Sequence, residues 1–368
     1  MSPAPSPRGF AVLVGAAILL VIYTHAGFSF GPISSSMTSS PGQRRAGDDV
    51  LPIPSSTYVI SLPHRTDRYE DMERLRSCLG LRWTYVVAED SQSPLVDRII
   101  SQVRSLRQEE LKMKAYPPNT SIELPFQWPS PDTATSTVPF QGSNSDTPLY
   151  PVPAASDSTE PLTCATENFT LFPYSPGLPE YKVLSRSRIA CWHSHLSVIQ
   201  RVSTHAPENA ALILEDDVDM EADIKERLSV IWNLLPSDWD IVFLGHCWSN
   251  ESFYPPLGHI SPPSPHLHTS FTTKLHLSHA PLCTHAYALS PAGAKRLLRD
   301  LTYPRFAYSR AIDHALAWLV QSGRLNSFSV VPSVVVQRKI GESDVMTGKG
   351  SGWKDQLIHG VLADEESP

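Results

Sequence analysis

The stretch that most constrains the fold is Ala210 to Asp217, in which an apolar run leads directly into three carboxylates, Glu215, Asp216 and Asp217. A short, continuous apolar run predicts a strand that is buried on both faces of a sheet. The carboxylates then follow the carboxyl end of that strand, where open α/β sheets bind their ligands. Because burying three adjacent acids unpaired is costly, the triplet predicts a bound Mn²⁺ or Mg²⁺ that carries a phosphate. The alternative is a solvated acidic loop before the next helix.

Strand and helix patterns alternate through most of the chain, which predicts an α/β fold with a mainly parallel sheet and helices on both of its faces. Gly80 is placed to end the first helix, and Ser290 with Pro291 is placed to begin a later one. Apart from the acidic strand, the predicted strands are 57–62, 83–87, 239–244, 284–289 and 328–332. Residues 250–282 are predicted to be a loop.

The amino end carries an uncharged apolar run from Phe10 to Tyr23, which predicts a short membrane anchor with a cytosolic tail and a lumenal body. The alternative is a signal peptide that is cleaved near Ala26, after which the body is secreted. The expected organisation is a tail and signal anchor at 1–30, a flexible stem at 31–55, and one domain at 56–362. A Pro/Ser/Thr-rich insertion is expected within that domain at about 115–180.

Composition narrows the class of partner and the compartment. The net charge of −7 argues against non-specific binding to nucleic acid. Three Asn-x-Ser/Thr sequons, at Asn119, Asn168 and Asn250, agree with a body in the secretory pathway. The chain has five cysteines, and Cys247 and Cys283 are the expected disulfide pair, because each lies beside a predicted strand and a loop separates them.

Basic and acidic side chains near the predicted strand ends are the candidate site residues. Arg65 and Arg68 lie where a helix begins, which is a workable site for a pyrophosphate; the alternative is two arginines on a solvated helix. Arg188 and His195 precede the acidic strand and are candidates to face a phosphate or a sugar, although a lone histidine is more often structural. Asp313 lies in the first turn of a helix, off its apolar stripe, either as a general base or only as a complement to the helix dipole.

Several of these segments together resemble the family-25 glycosyltransferases, which include bacterial lipooligosaccharide and animal collagen galactosyltransferases. The similarity covers about residues 57–90 and 183–345. The matching pieces are Tyr58 to Leu62 with Arg65 to Arg68, Arg188 to His195, Ala211 to Val218, Trp239 to Gly245, Ala286 to Ala294, Ile312 with Asp313, and Pro332 through Gln337 to Ser343 and Asp344. Ser187 and Arg188 stand where that family commonly has Gly and Glu.

The resemblance implies a GT-A-type, Rossmann-like fold and a metal-dependent, inverting transfer of a sugar from a UDP-sugar donor. Galactose is the expected sugar, and a glycan or glycoprotein is the expected acceptor. The resemblance assigns Glu215, Asp216 and Asp217 to a DxD-like metal site and adds Asp344 to the donor-binding candidates Arg65, Arg68 and Arg188. Asp313 is the first candidate for the base and His195 the second.

The expected location is the Golgi or endoplasmic reticulum membrane, as a single-pass type II protein with a lumenal catalytic domain. The alternative function is a catalytically silent lumenal binding or adhesion protein that keeps the fold. An intact acidic triplet argues against it, because a binding module needs no site for a metal and a phosphate. A structural Ca²⁺ site is a third possibility, but the EF-hand spacing is absent from the sequence.

Overall fold

Alternating strands and helices make up the domain, as the hydrophobic pattern predicts. The computed structural model describes residues 56–112, 122–123, 128, 160–205, 210–258, 273–338 and 357–362. The helices are α1 (Thr66–Leu79), α2 (Pro94–Lys112), α3 (Arg186–His205), α4 (Ile224–Trp232), α5 (Pro291–Leu301) and α6 (Ile312–Gln321), with a 3₁₀ turn at Glu180–Lys182. The strands are β1 (Ser56–Ser61), β2 (Thr84–Val87), β3 (Ile122–Glu123), β4 (Thr170–Leu171), β5 (Ala211–Glu215), β6 (Val218–Met220), β7 (Ile241–Phe243), β8 (Lys274–Leu277), β9 (Ala286–Leu289), β10 (Ser327–Val331) and β11 (Val335–Gln337).

The main sheet is mixed and has seven strands in the order β2-β1-β5-β9-β7-β10-β8. β5 pairs in parallel with β1, with Ile60 opposite Glu215, while β9 runs antiparallel between β5 and β7. β8 is also antiparallel to its neighbour β10. The prediction of a mainly parallel sheet is therefore confirmed for β2-β1-β5 and for β7 beside β10, whereas β9 and β8 run antiparallel to their neighbours. The physical reason is that parallel neighbours need a crossover helix, and no helix of the described residues lies between β7 and β9.

Helices cover both faces of the sheet, as predicted. On one face, α2, α3, α5 and α6 pack on Ile213, Phe243 and Tyr287. On the other face, α1 and α4 pack on Leu212, Leu214 and Val242. The alternation of side chains along β5 therefore sends successive apolar residues into two separate cores. All four residues Ala211 to Leu214 are at most 3% exposed, which confirms the predicted doubly buried strand.

Two predicted helix boundaries are confirmed by their capping geometry. Gly80 ends α1 in the left-handed conformation, with φ of 58°, where its backbone N–H bonds the last turn. Ser290 caps α5: its hydroxyl accepts a hydrogen bond from the backbone N–H of Gly293, and Pro291 occupies the first helical position. Both signals depend only on neighbouring residues, so these helix boundaries can be predicted without knowledge of the tertiary structure.

Part of the predicted irregular insertion is ordered by two buried arginines. Arg107 donates to the carbonyl of Thr163 at 2.7 Å, and Arg310 donates to the carbonyls of Glu167 and Asn168 at 2.5 and 2.7 Å. Residues 160–184 therefore pack on α2 and on the segment before α6, although they lack a helix or strand period. The carboxyl-terminal part of the expected insertion is therefore ordered.

The predicted loop at 250–282 and the disulfide have different outcomes. β8 lies inside the predicted loop, with Leu275 and His276 buried, so that prediction is wrong for these four residues. The four-residue strand is too short to show a period. Cys247 and Cys283 form a disulfide, as predicted, with 5.7 Å between their Cα atoms.

Several predicted features lie outside the described residues. These are the anchor at 1–30, the stem at 31–55, most of the insertion, and the donor candidate Asp344. Across the part of the chain that is described, no helix has the length and apolar character needed to cross a membrane.

Gly293 offers a test of the close contact between α5 and the sheet. A Cβ atom at this position would lie 2.2 Å from the carbonyl oxygen of Asp240, which no real contact allows. We expect Gly293→Ala to lower the free energy of unfolding by about 1–3 kcal/mol, because backbone must move to make room. Chemical denaturation measures this change. Gly177→Ala is the control, since its Cβ would meet nothing within 4 Å; equal stability of the two variants would contradict the packing.

Candidate functional site

The acidic triplet lies at the carboxyl end of β5, where the sheet divides it between two environments. Glu215 is the last residue of β5, on the same face as Ile213, whereas Asp216 and Asp217 form the turn that follows. Strand alternation therefore directs Glu215 towards α3, while the turn brings Asp216 and Asp217 to α1. The three carboxylates, predicted as one metal-binding group, do not share one set of contacts.

Arg68 joins Asp216 and Asp217 to the amino-terminal turn of α1. Its Nη1 atom lies 2.8 Å from Oδ1 of Asp216 and 3.3 Å from Oδ2 of Asp217. The side chains of Asp216 and Asp217 are only 6% and 13% exposed, so this contact has little competition from water. The structure therefore brings Arg68, one of the donor-binding candidates, into contact with the acids. Arg65 lies at the same turn and forms an ion pair with Asp67 at 3.0 Å.

Asp217 is the member of the triplet with unused hydrogen-bonding capacity. Its Oδ2 accepts a hydrogen bond from Nε2 of Gln337 at 3.1 Å. Its Oδ1 is buried and has no hydrogen-bond partner among the described residues. Burial, and then the negative charge of Glu215, raise the pKa of Asp217 to about 7. A cation at this carboxylate would satisfy the orphaned oxygen and reverse the shift.

Glu215 belongs to a buried chain of polar side chains on the other face. Its Oε1 accepts a hydrogen bond from the Thr284 hydroxyl at 2.8 Å and lies 3.3 Å from Nε2 of His195. The Nδ1 of His195 lies 3.1 Å from the Tyr287 hydroxyl. Burial alone would raise the pKa of Glu215, but the His195 and Thr284 contacts hold it down at about 2. Glu215 is therefore a fixed anion, and His195 is buried with both ring nitrogens engaged.

Asp313 lies close to this chain, at the start of α6. Its Oδ2 is 3.4 Å from the backbone nitrogen of Cys283, the residue before Thr284. Buried Cys191 lies within electrostatic reach of both acids: burial raises its thiol pKa, and Glu215, Asp313 and Asp217 add to the shift. The structure thus brings Asp313 to the same end of the sheet as the acidic triplet. The two are far apart in sequence, since Asp217 precedes Asp313 by 96 residues.

Arg188 is placed differently from the other basic candidates. It is 3% exposed, and its Nη1 donates to the backbone carbonyls of Glu180 and Val183 at 2.8 and 2.5 Å. These bonds fix the 3₁₀ turn before α3. Among the described residues, the hydrogen bonds of the Arg188 guanidinium thus go to the backbone of its own segment and not to the acids.

Three residues that contact the site residues were not predicted from the sequence as part of the site. Thr284, Tyr287 and Gln337 contact Glu215, His195 and Asp217 respectively, and all three are neutral. Gln337 lies in β11, a three-residue strand that pairs with β6 immediately after the triplet. Neutral side chains in or beside short strands give no charge or periodic signal. The contact of Gln337 with Asp217 depends on the pairing of β11 with β6, which the sequence does not show.

The fit of a metal to these residues is partial. Among the described residues, no three His, Cys, Asp or Glu side chains are grouped as a ready metal site. Two carboxylates, Asp216 and Asp217, do meet at one cation, the guanidinium of Arg68. That number matches Mg²⁺-type sites, which take one or two carboxylates and complete the shell with phosphates and water.

Comparison with known proteins gives one finding. Residues 157–314 match the family model of Glycosyltransferase family 25 (LPS biosynthesis protein). No curated protein matches the chain. The matched range contains α3, β5, the acidic triplet and Asp313, but it leaves out Arg68 and Gln337, which the fold adds to the same site. Residues 157–314 are thus similar to glycosyltransferase family 25 domains.

Proposed function

We propose that the protein is an inverting glycosyltransferase that moves a sugar, galactose, from a UDP-sugar to a glycan or glycoprotein acceptor. The observation that carries the proposal is the pair Asp216 and Asp217, which meets Arg68 at the end of β5 with one Asp217 oxygen unsatisfied. The family match supports transfer of a sugar in general. A GT-A-type fold is part of the proposal, supported by a site at the carboxyl ends of parallel β1 and β5.

Asp216 and Asp217 are the residues that would hold Mn²⁺ or Mg²⁺. Bound there, the cation would supply charge neutralisation for the two phosphates of the donor. Arg68, already between the two carboxylates, is placed to turn towards the same phosphates. Arg65 adds a second guanidinium at the amino end of α1. Glu215 would remain with Thr284 and His195 as a fixed negative charge beside the cation.

The chemistry needs a base on the side of the sugar opposite to the diphosphate. In the proposed step, the acceptor hydroxyl oxygen forms a bond to the anomeric carbon, and the bond from that carbon to the diphosphate oxygen breaks. The electron pair leaves with UDP, and the acceptor proton passes to a carboxylate. Asp313 is that carboxylate in our proposal, because it is half-buried and adjoins Cys283 and Thr284. His195, with both nitrogens engaged, acts by positioning Glu215 instead.

We also propose a lumenal location. The Cys247–Cys283 disulfide supports an oxidising compartment. The apolar run at 10–23 and the three sequons support entry into the secretory pathway through a single-pass anchor, with release by signal cleavage as the alternative.

A catalytically silent binding protein remains the second candidate. The observation in its favour is that Arg68 occupies the space between Asp216 and Asp217, where a cation would bind. An arginine that never leaves this position would exclude the metal. Metal-dependent binding of UDP separates the two functions.

The first prediction concerns Asp217. We expect Asp217→Asn to weaken Mn²⁺-dependent binding of UDP by at least about 100-fold, because the amide cannot supply the anionic oxygen. Isothermal calorimetry with and without Mn²⁺ measures this loss. Glu70→Gln is the control, since Glu70 is an exposed carboxylate on α1, two residues from Arg68. Equal UDP affinity in the Asp217 variant and the unaltered protein would count against the metal site, and absence of any UDP binding would favour the silent binding protein.

The second prediction concerns pH in the absence of metal. The pKa of Asp217 is about 7 in the folded protein and 3.8 in its unperturbed form, so the folded state holds the extra proton between these values. The contribution of Asp217 to stability is therefore lost as pH rises from about 4 through 7. We expect the melting temperature of the unaltered protein to fall relative to that of Asp217→Asn as the pH rises from about 4 to about 7, and the difference to level off above that pH. Parallel melting curves for the two proteins would contradict the raised pKa.

The third prediction concerns Asp313. We expect Asp313→Asn to lower kcat by about 10²–10⁴-fold while the affinity for UDP with Mn²⁺ stays within about twofold. Turnover of UDP-galactose and calorimetry measure the two quantities. His314→Gln is the matched control, because His314 is the exposed neighbour in the same helical turn. Full turnover by the Asp313 variant would remove it as the base.

A further inference from the structure

Trp248 is a large, half-exposed aromatic side chain that directly follows Cys247, whose disulfide partner Cys283 contacts Asp313. It follows Cys247 in the segment after β7 and is 53% exposed. Tryptophan normally buries most of its surface, since its ring carries a large apolar area. An exposed tryptophan next to a ligand site is therefore a candidate contact for a ligand.

The backbone at Trp248 is held in a conformation that bulky residues rarely adopt. The φ angle of Trp248 is 55°, in the left-handed region. Cys283, the disulfide partner of the preceding residue Cys247, is also in this region, with φ of 67°. Side chains with a Cβ atom are disfavoured there, and such positions concentrate at functional sites. A glycine or asparagine would fit this backbone with less strain, yet the sequence has tryptophan.

Short contacts connect Trp248 to the acceptor side of the proposed site. The disulfide joins Cys247 to Cys283, and the backbone N–H of Cys247 donates to the carbonyl of Leu282 at 3.0 Å. Cys283 then contacts Asp313 through its backbone nitrogen, at 3.4 Å. A base must lie beside the acceptor hydroxyl, so the segment that carries Trp248 adjoins the acceptor position. The diphosphate end, at Arg68, is held by α1 on the other face of the sheet.

A buried carboxylate, Glu251, fixes the segment that follows Trp248 to the backbone before Cys283. Glu251 is 1% exposed, and its two oxygens accept hydrogen bonds from the backbone nitrogens of His279 and Ala280 at 2.9 and 3.0 Å. Phe253, which is 60% exposed, stacks on His279 with ring centroids 4.3 Å apart. The segment that carries Trp248 therefore also carries a second exposed aromatic ring, Phe253, five residues later.

We propose that Trp248 is the platform on which a pyranose ring of the acceptor lies, and that it determines acceptor specificity. This inference rests on the proposed function. The C–H bonds of the less polar face of a pyranose pack on an aromatic ring by dispersion and by attraction to its negative face, while the hydroxyl groups stay in water. The disulfide restrains the backbone that carries the indole before the sugar arrives, which lowers the entropy lost when the segment is ordered on binding.

The test compares Trp248→Asn and Trp248→Phe with the unaltered protein. The probes are the methyl β-glycosides of galactose, glucose, mannose and N-acetylglucosamine, observed by saturation-transfer NMR with UDP and Mn²⁺ present. We expect Trp248→Asn to bind the best probe roughly tenfold more weakly, and Trp248→Phe to stay within about threefold. Tyr181→Asn is the control, because Tyr181 is 54% exposed and lies in the 3₁₀ turn before α3; we expect no change.

Two further readouts separate a binding role from a structural one. UDP binding with Mn²⁺ should stay within about twofold in Trp248→Asn, and its melting temperature should be no more than about 2 °C lower, because asparagine relieves the left-handed strain. Equal probe affinity in Trp248→Asn, or no binding of any probe to the unaltered protein, would overturn the proposal. So would a joint loss of probe binding, UDP binding and melting temperature. Trp248-dependent probe binding without any UDP binding would support the platform while the proposed donor chemistry fails.

Discussion

The contact of Arg68 with Asp216 and Asp217 is the interaction on which the arrangement of the site depends. It exists only because β1 pairs in parallel with β5, which brings the amino-terminal turn of α1 to the carboxyl end of the acidic strand. Three adjacent carboxylates with little exposure repel one another, so a positive charge must lie among them. Arg68 supplies that charge in the protein alone, and the donor's cation would supply it in the proposed complex.

The sheet gives the three acids different roles although they are consecutive in sequence. Glu215 ends the strand and follows its alternation towards α3, where Thr284 and His195 hold it as an anion. Asp217 lies in the turn, where one of its oxygens has no partner among the described residues. A site of this kind combines one acid with a low pKa and one with a raised pKa, and titratable groups separated in this way are typical of functional sites.

The disulfide organises the opposite side of the site. Cys283 lies just before the strand β9, and its backbone nitrogen contacts Asp313. The disulfide from Cys283 to Cys247 holds the segment after β7 against the segment before β9. Trp248 is therefore carried by a segment that is covalently linked to Cys283, and the backbone nitrogen of Cys283 contacts the candidate base Asp313. In the proposed enzyme, this divides the site into a donor half that is built on α1 and an acceptor half that is built on the disulfide.

The sequence by itself determined the buried strand β5, both helix caps at Gly80 and Ser290, the disulfide pair and the position of the acidic triplet at the end of β5. Each of these depends on local pattern or on residue chemistry, which the chain carries wherever it folds. Only the tertiary structure decided the antiparallel β9, the division of the acidic triplet, the structural use of Arg188, and the neutral partners Thr284 and Gln337. The physical reason is that these depend on which strands become neighbours, and contacts between segments far apart in sequence leave no periodic signal within either segment.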